Sequence, residues 1–525
     1  MKFRILGLIV AMALVMSLFA GCGNKGATVG RNNTEEVVEL TMFLWDLDDV
    51  GNDPEAPVYK YISDKFNVKI KPSTTSYNQR NEKLNLLIAA NNVPDIFISP
   101  GFESKAIYDK WIKEGIVMPI SDYSSKYPNV QKVLDTFSEY AKLSGGKHYG
   151  LPIISRFTDL DSLGENKVSN GHGIWIRQDW LNNLGLEKPK TYMDLYNVAK
   201  AFTENDPDQN GKKDTYGITV QGVWWTYPIL NMFNASLDRF REVDGKYVPE
   251  NISEDMRAAV NYLHKLHYEG ILDPDFAFIT EDQKLEKFIS GKTGIITHNV
   301  GGHYTTLYNK FKSAYPDKDP KSLFTWVDVI EGPNGVRRMD GSENFWCLTH
   351  IHNNISDIKK EKLLSILDFL LSEEGQILTY YGIEGEHYVK EGDKYVSLLP
   401  NNENGEPQTI KDIDKTANIY HYVFWAVDNH LMPKSQHQAE IDASAATSRQ
   451  FAWADPLKFM VLDEAVFSTV EKKELYSLTT QSLTKMIMST EQDINKEFDE
   501  YVEQWKKMKG DVYIEEANKY MNGQK

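Results

Sequence analysis

The sequence predicts an α/β protein, and three observations carry that expectation. From Val38 to Ile98 the chain alternates between strand-like and helix-like apolar patterns. Later segments open with helix-capping signals and lead into short apolar strands. At 525 residues the chain is long enough for two domains or more.

The first pattern is the most regular. Val38 to Trp45 is an apolar, β-favouring run. Val58 to Phe66 has helical spacing through Tyr61, Ile62 and Phe66, and Phe66 to Ile70 alternates as a half-buried strand does. Asn78 to Ala90 is helical through Leu84, Leu87 and Ile88, and Val93 to Ile98 ends in a short strand. Strand, helix, strand, helix, strand is the signature of βαβ units. Thr191 with Asp194, and Thr280 with Gln283, have capping-box spacing ahead of apolar helices. Gly291 stops the second helix, and Gly294 to His298 makes the next strand. Ser356 to Leu371 is amphipathic, and Thr490 to Met521 is helical and highly charged.

The N-terminus carries an address. Lys2 and Arg4 precede an apolar run from Ile5 to Ala20, which ends in Ala20-Gly21-Cys22. A basic start, a short apolar core and small residues at a cleavage site make a secretory signal over 1–21. Ala-Gly-Cys resembles the lipobox of bacterial lipoproteins, with Phe19 where Leu is usual. That resemblance implies cleavage before Cys22 and lipidation of its thiol. Residues 22–37 are expected to tether the body to the outer face of the cell membrane.

Composition narrows the partners. The net charge is −17, which argues against nucleic acid. There are two cysteines. With Cys22 lipidated, Cys347 stands alone between apolar neighbours and is expected to be a buried small hydrophobe.

Several segments match one family. Leu86 to Ala90 leading to Pro94-Asp95-Ile96, Ile176-Arg177-Gln178-Asp179-Trp180-Leu181, Phe288 to Gly294, and Tyr381-Gly382-Ile383-Glu384-Gly385-Glu386-His387-Tyr388 are the relevant stretches. The chain resembles the family 1 extracellular solute-binding proteins, in their large lipoprotein subfamily of carbohydrate binders. The resemblance implies a periplasmic-binding-protein-like type II fold of two α/β lobes that close on a ligand. It also implies an oligosaccharide ligand and the permease subunits of an ABC importer as partners. The chain is expected to act as a monomer without an organic cofactor. Lobe 1 is expected over 38–156 and 297–348, and lobe 2 over 157–296 and 349–525.

A sugar site needs flat aromatic faces and hydrogen-bonding partners. Trp45 and Asp46 follow the first strand, where open α/β sheets gather ligands. Adjacent Trp224 and Trp225 cannot both face one core from a regular strand. Asp95, Arg177, Trp346, Tyr381, Glu384, His387 and Trp425 complete the candidate contacts. Asp206 to Asp214 reads D-x-D-x-N-G-x-x-D, an alternation of oxygen ligands suited to a structural calcium ion. Asp206, Asp208, Asn210 and Asp214 would supply side chains and Lys212 its carbonyl, while Gly217 stands where an EF-hand has its last Glu.

Gly291-Lys292-Thr293 lacks the earlier glycine of a P-loop, and neither H-E-x-x-H nor G-x-S-x-G occurs. The rival function is an extracellular glycoside hydrolase or polysaccharide lyase using a carboxylate pair such as Glu384 and Glu386. A lipoprotein that presents a sugar to a sensor kinase is the other.

Overall fold

Strands β1 (Val38–Phe43), β2 (Val68–Ser73), β3 (Ile96–Pro100) and β4 (Leu151–Ile154) come first. In chain order there follow β5 (Val168–Ser169), β6 (His172–Arg177), β7 (Tyr216–Thr219), β8 (Phe240–Val243), β9 (Lys246–Pro249), β10 (Thr293–Asn299), β11 (Phe324–Val327) and β12 (Met339–Ser342). The last are β13 (Phe345–Ile351), β14 (Tyr388–Glu391), β15 (Lys394–Ser397) and β16 (Ala452–Trp453). The structure, a computed structural model, describes residues 36–45, 53, 55–76, 79–100, 105–141, 144–154, 168–169, 171–300, 303–342, 345–392, 394–401, 408–424, 431, 438–453 and 466–524. The signal segment, Cys22 and most of the tether therefore lie outside the described residues.

Two mixed sheets organise the chain. The first has the order β2-β1-β3-β13-β4, with β1 parallel to β2 and β3 and β13 antiparallel to β3 and β4. The second has the order β11-β6-β10-β7, with β10 parallel to β7 and antiparallel to β6. Both are covered on two faces. Leu40 and Met42 of β1 join one cluster, and Phe43 joins another with Phe97 and Trp111. Likewise Ile174 and Ile176 of β6 face Trp180 and Phe202, while Trp175 faces Phe288 and Phe311. Alternate residues of a strand point to opposite faces, so one short apolar strand feeds two cores.

The helices follow the sequence signals closely. Pro57–Phe66, Arg80–Ala89 and Asp357–Leu370 form where periodicity places them. Tyr192–Glu204 and Glu281–Ile289 both begin with the full reciprocal capping box. The C-terminal stretch is two helices, Asn495–Trp505 and Asp511–Gln524, joined by a π-type turn over Lys506–Gly510.

The cores divide the chain differently from the expected lobe boundaries. Ile154 and Phe345 to Phe424 pack with the first sheet, whereas Ile174 to Ile330 and Phe467 to Ala517 pack with the second. The segment 297–330 therefore belongs to lobe 2, because β10 pairs in the middle of that sheet. Residues from Phe345 to Phe424 belong to lobe 1, because β13 lies between β3 and β4. The packed cluster changes from the first sheet to the second between Ile154 and Ile174, back between Ile330 and Phe345, and again between Phe424 and Ile441. β5 and β12 lie within the first two of these intervals and, with β16, form a third sheet, β16-β12-β5.

Candidate ligand-binding site

The most prominent aromatic surface lies beyond the ends of β7 and β10. After β7 the backbone turns at Gly222, whose φ of +65° suits glycine. A single 3-10 turn, Trp224–Thr226, then leads into a helix, Tyr227–Met232, with Pro228 in its first turn. This geometry separates the two indoles, which meet edge to face at 5.1 Å. Trp224 is 42% exposed, and Trp225 is half-buried. Water-exposed indole is costly unless something covers it.

The pair sits in a longer stripe. His172, at the start of β6, lies 4.9 Å from Trp224 and 5.2 Å from Trp225. His298, near the end of β10, lies 5.4 Å from Trp225 and 5.0 Å from His303. Burial, then the nearby Lys284, His303 and His172, push the His298 imidazolium down to about 2, so this ring is neutral. In the other direction Trp224 meets Tyr227, and the Arg239 guanidinium lies over both Tyr227 and Trp453. Arg338 stacks at 3.9 Å on Trp453 and makes a buried bidentate pair with Glu250. The stripe thus runs from the C-terminal edge of the second sheet to the β16-β12-β5 sheet. The ends of strands in open α/β sheets are where ligands bind. Lys284, His172, His298, His303 and Tyr227 were not among the sequence-derived candidates. A histidine at the end of a strand was the one signal for His298.

Other candidates are placed elsewhere. Trp45 is 5% exposed, inside the lobe 1 core beneath the Arg80 guanidinium, so it presents no open stacking face. Asp95 is committed to the frame: Thr41 donates to it from its amide and hydroxyl, and Lys359 at 2.8 Å. Arg177 is buried, donates twice to Asp179 and once to the Phe288 carbonyl, and lies over Trp180. In both cases burial is matched by these partners, which occupy the polar atoms of the side chain. In the Tyr381–Tyr388 loop, Gly382 and Gly385 take positive φ, and the His387 Nδ1 accepts from the Ile383 amide. The Tyr381 hydroxyl donates to the Leu431 carbonyl, so that loop also holds itself together, leaving Glu384 exposed. Asp46, Trp425 and the Trp346 side chain lie outside the described residues, while Cys347 is buried in the lobe 1 core as expected.

The Asp206–Asp214 loop lies between helix Tyr192–Glu204 and β7. Asp206 accepts from the amides of Asn210 and Gly211, and Gly211 adopts φ +77°. The Asn210 side-chain Nδ2 donates to Asp208 at 2.7 Å and Asp214 at 3.2 Å. The Asn210 Oδ1 accepts from the Lys212 amide. Burial, then Asp206 and Asp214, raise the Asp208 carboxyl above its ordinary range, and its Oδ1 is buried without a hydrogen-bond partner. Lys292 pairs with Asp214 at 2.8 Å. Among the described residues no three His, Cys, Asp or Glu side chains are grouped to hold a metal by themselves. The converging oxygens and the orphaned Asp208 oxygen nevertheless fit a hard cation once amide and carbonyl ligands are added.

Two covered sheets form the frame, and an aromatic cluster exposed at Trp224 lies at the end of the second. The family of bacterial extracellular solute-binding proteins matches residues 51–377. The chain belongs to that family, a non-catalytic class of transport components. It is 26% identical to lipoprotein LipO of Bacillus subtilis over the whole of both chains. It is 28% identical to the polygalacturonan/rhamnogalacturonan-binding protein YtcQ of the same organism over 75% of each. The substrate-binding protein FusA of Streptococcus pneumoniae, solved with kestose and as an EF-hand mutant with fructo-nystose, shares the fold. In both cases the TM-score is 0.67 at 19% identity, covering 92% of this chain and 99% of that one. Among the described residues no helix is long and apolar enough to cross a membrane.

Proposed function

We propose that this protein captures an oligosaccharide between its lobes and delivers it to the permease of an ABC importer. The edge-to-face pair of exposed Trp224 and half-buried Trp225 carries this reading. Indole faces stack on sugar rings. Relatives named for polygalacturonan and fructooligosaccharide binding support the ligand class. The lipobox-like Ala20-Gly21-Cys22 supports anchoring at the outer face of the membrane. A structural calcium ion would be held by Asp206, Asp208, Asn210, Asp214 and the Lys212 carbonyl, where it would supply charge neutralisation. The EF-hand named in the FusA relative supports this assignment.

Calorimetric titration of residues 34–525 with a panel of oligosaccharides tests the proposal. Binding of at least one intact sugar, weakened tenfold or more by Trp224→Ala or Trp225→Ala, is expected. Cleavage of the sugar would restore the hydrolase reading, and unchanged affinity in both variants would move the site off the tryptophan pair.

A further inference from the structure

Lys284 is an odd companion for a sugar platform. It comes from helix Glu281–Ile289, and its side chain is fully buried. Its Nζ lies 4.0 Å from the Trp225 ring centroid and donates to the Thr297 carbonyl at 2.9 Å. Among the described residues no carboxylate pairs with it. Glu281, half-exposed on the same helix, acts only at longer range. Buried ammonium groups are ordinarily paired, because desolvation without a counter-charge is costly. Along the strand that takes this hydrogen bond, Thr297 Oγ1, His298 Nδ1 and Asn299 Oδ1 are buried with no hydrogen-bond partner among the described residues.

We propose that the Trp224–Trp225 platform takes an acidic oligosaccharide, one bearing uronate carboxylates, whose negative charge is met by Lys284 beside the Trp225 ring. This rests on the platform being the carbohydrate site. A charge in a poorly solvated place acts at longer reach than one in water. A neutral sugar gains stacking from the indoles, whereas a uronate gains stacking and the field of the lysine. The groups facing Lys284 do not cancel it. His298 of β10 is neutral, His303 and His172 contribute imidazoles, and Glu281 sits 3.9 Å from His298 on the solvent side. Asp238 lies further along the stripe, accepting from the Tyr227 hydroxyl. Burial lowers the Lys284 ammonium to about 8, so it remains charged at neutral pH.

The test compares galacturonate, mannuronate and guluronate tetramers with their methyl esters, and with maltotetraose and xylotetraose, by calorimetry from pH 6 to 9.5. At pH 7 at least one acid should bind tenfold or more tightly than its own ester. That preference should shrink as the pH passes about 8, where the uronate stays ionised but Lys284 does not. In Lys284→Met, with its folding checked by thermal melt, the preference should collapse to within about threefold while stacking on the ester persists. Equal or tighter binding of esters or neutral sugars would overturn the acidic assignment and leave the carbohydrate reading standing. Retention of the preference in Lys284→Met, or a flat pH profile, would remove Lys284 from it. Silence toward every sugar would overturn both.

Discussion

A buried lysine is a measurable liability. Lys284 is driven from 10.5 to about 8 by burial, so its ammonium is harder to form in the folded chain than in the unfolded one. The penalty is fully present below about pH 8 and fades as the pH climbs toward 10.5, where the unfolded lysine also loses its proton. At pH 7 that is about 3 kcal/mol, of which the Thr297 hydrogen bond returns about 1 kcal/mol. Lys284→Met should therefore stabilise the apo-protein by about 2 kcal/mol at pH 7, with the gain shrinking by pH 10 in denaturant titrations. No gain at pH 7 would mean that the ammonium is better compensated than its surroundings indicate. Asp208 makes the opposite case, since its Oδ1 is buried with no hydrogen-bond partner among the described residues. Chelation should lower the stability of the wild type by about 1–2 kcal/mol if calcium is present at roughly ten times its dissociation constant. The Asp206→Ala/Asp208→Ala variant should not respond, and an indifferent wild type would end the calcium assignment.

Helices and strands show why some of this protein was legible and some was not. Local chemistry was readable: Thr191 and Thr280 both make their reciprocal caps. Thr191→Ala should cost about 1 kcal/mol in a thermal melt. Gly217 shows the limit. Its place in the calcium loop pattern, where an EF-hand has Glu, looked like a missing ligand. In the fold it lies in β7 directly under helix Tyr192–Glu204, and a Cβ there would stand 2.1 Å from the Ala199 carbonyl. Packing, which spacing along the chain does not reveal, keeps a side chain out. The same limit explains the ligand candidates. Trp224 and Trp225 were visible because adjacency itself breaks strand alternation. Trp45, Asp95 and Arg177 met every local criterion for a cleft residue, yet each is packed or bonded inside its lobe, Asp95 by Thr41 and Arg177 by Asp179 and the Phe288 carbonyl. The Lys284–His298 neighbourhood was invisible because it needs β10 laid beside β6 and the turn after β7.

At the scale of the molecule the question is which parts move together. The βαβ pattern and the family resemblance foretold two lobes, but the crossings depend on where β10 and β13 insert, which is a long-range choice. β5, β12 and β16 pair in a separate small sheet. Arg338, just before β12, is locked to Glu250 and Asn234 and stacked on Trp453 of β16, while Arg239 donates to the Trp453 carbonyl. These bonds fasten β12 and β16 to lobe 2. In the proposed capture, closure would be a rotation of lobe 1 against lobe 2 and those two strands. Glu250→Ala would leave the Arg338 guanidinium buried and unpaired, at a cost of about 3–5 kcal/mol. Because that cost falls on the hinge as well as on lobe 2, the variant should melt earlier and also respond less to ligand. A saturating oligosaccharide should reduce the radius of gyration of the wild type in small-angle scattering. In Glu250→Ala that contraction should be smaller at equal occupancy. An undiminished contraction would show that the Arg338 clamp serves the stability of lobe 2 and takes no part in the closing motion.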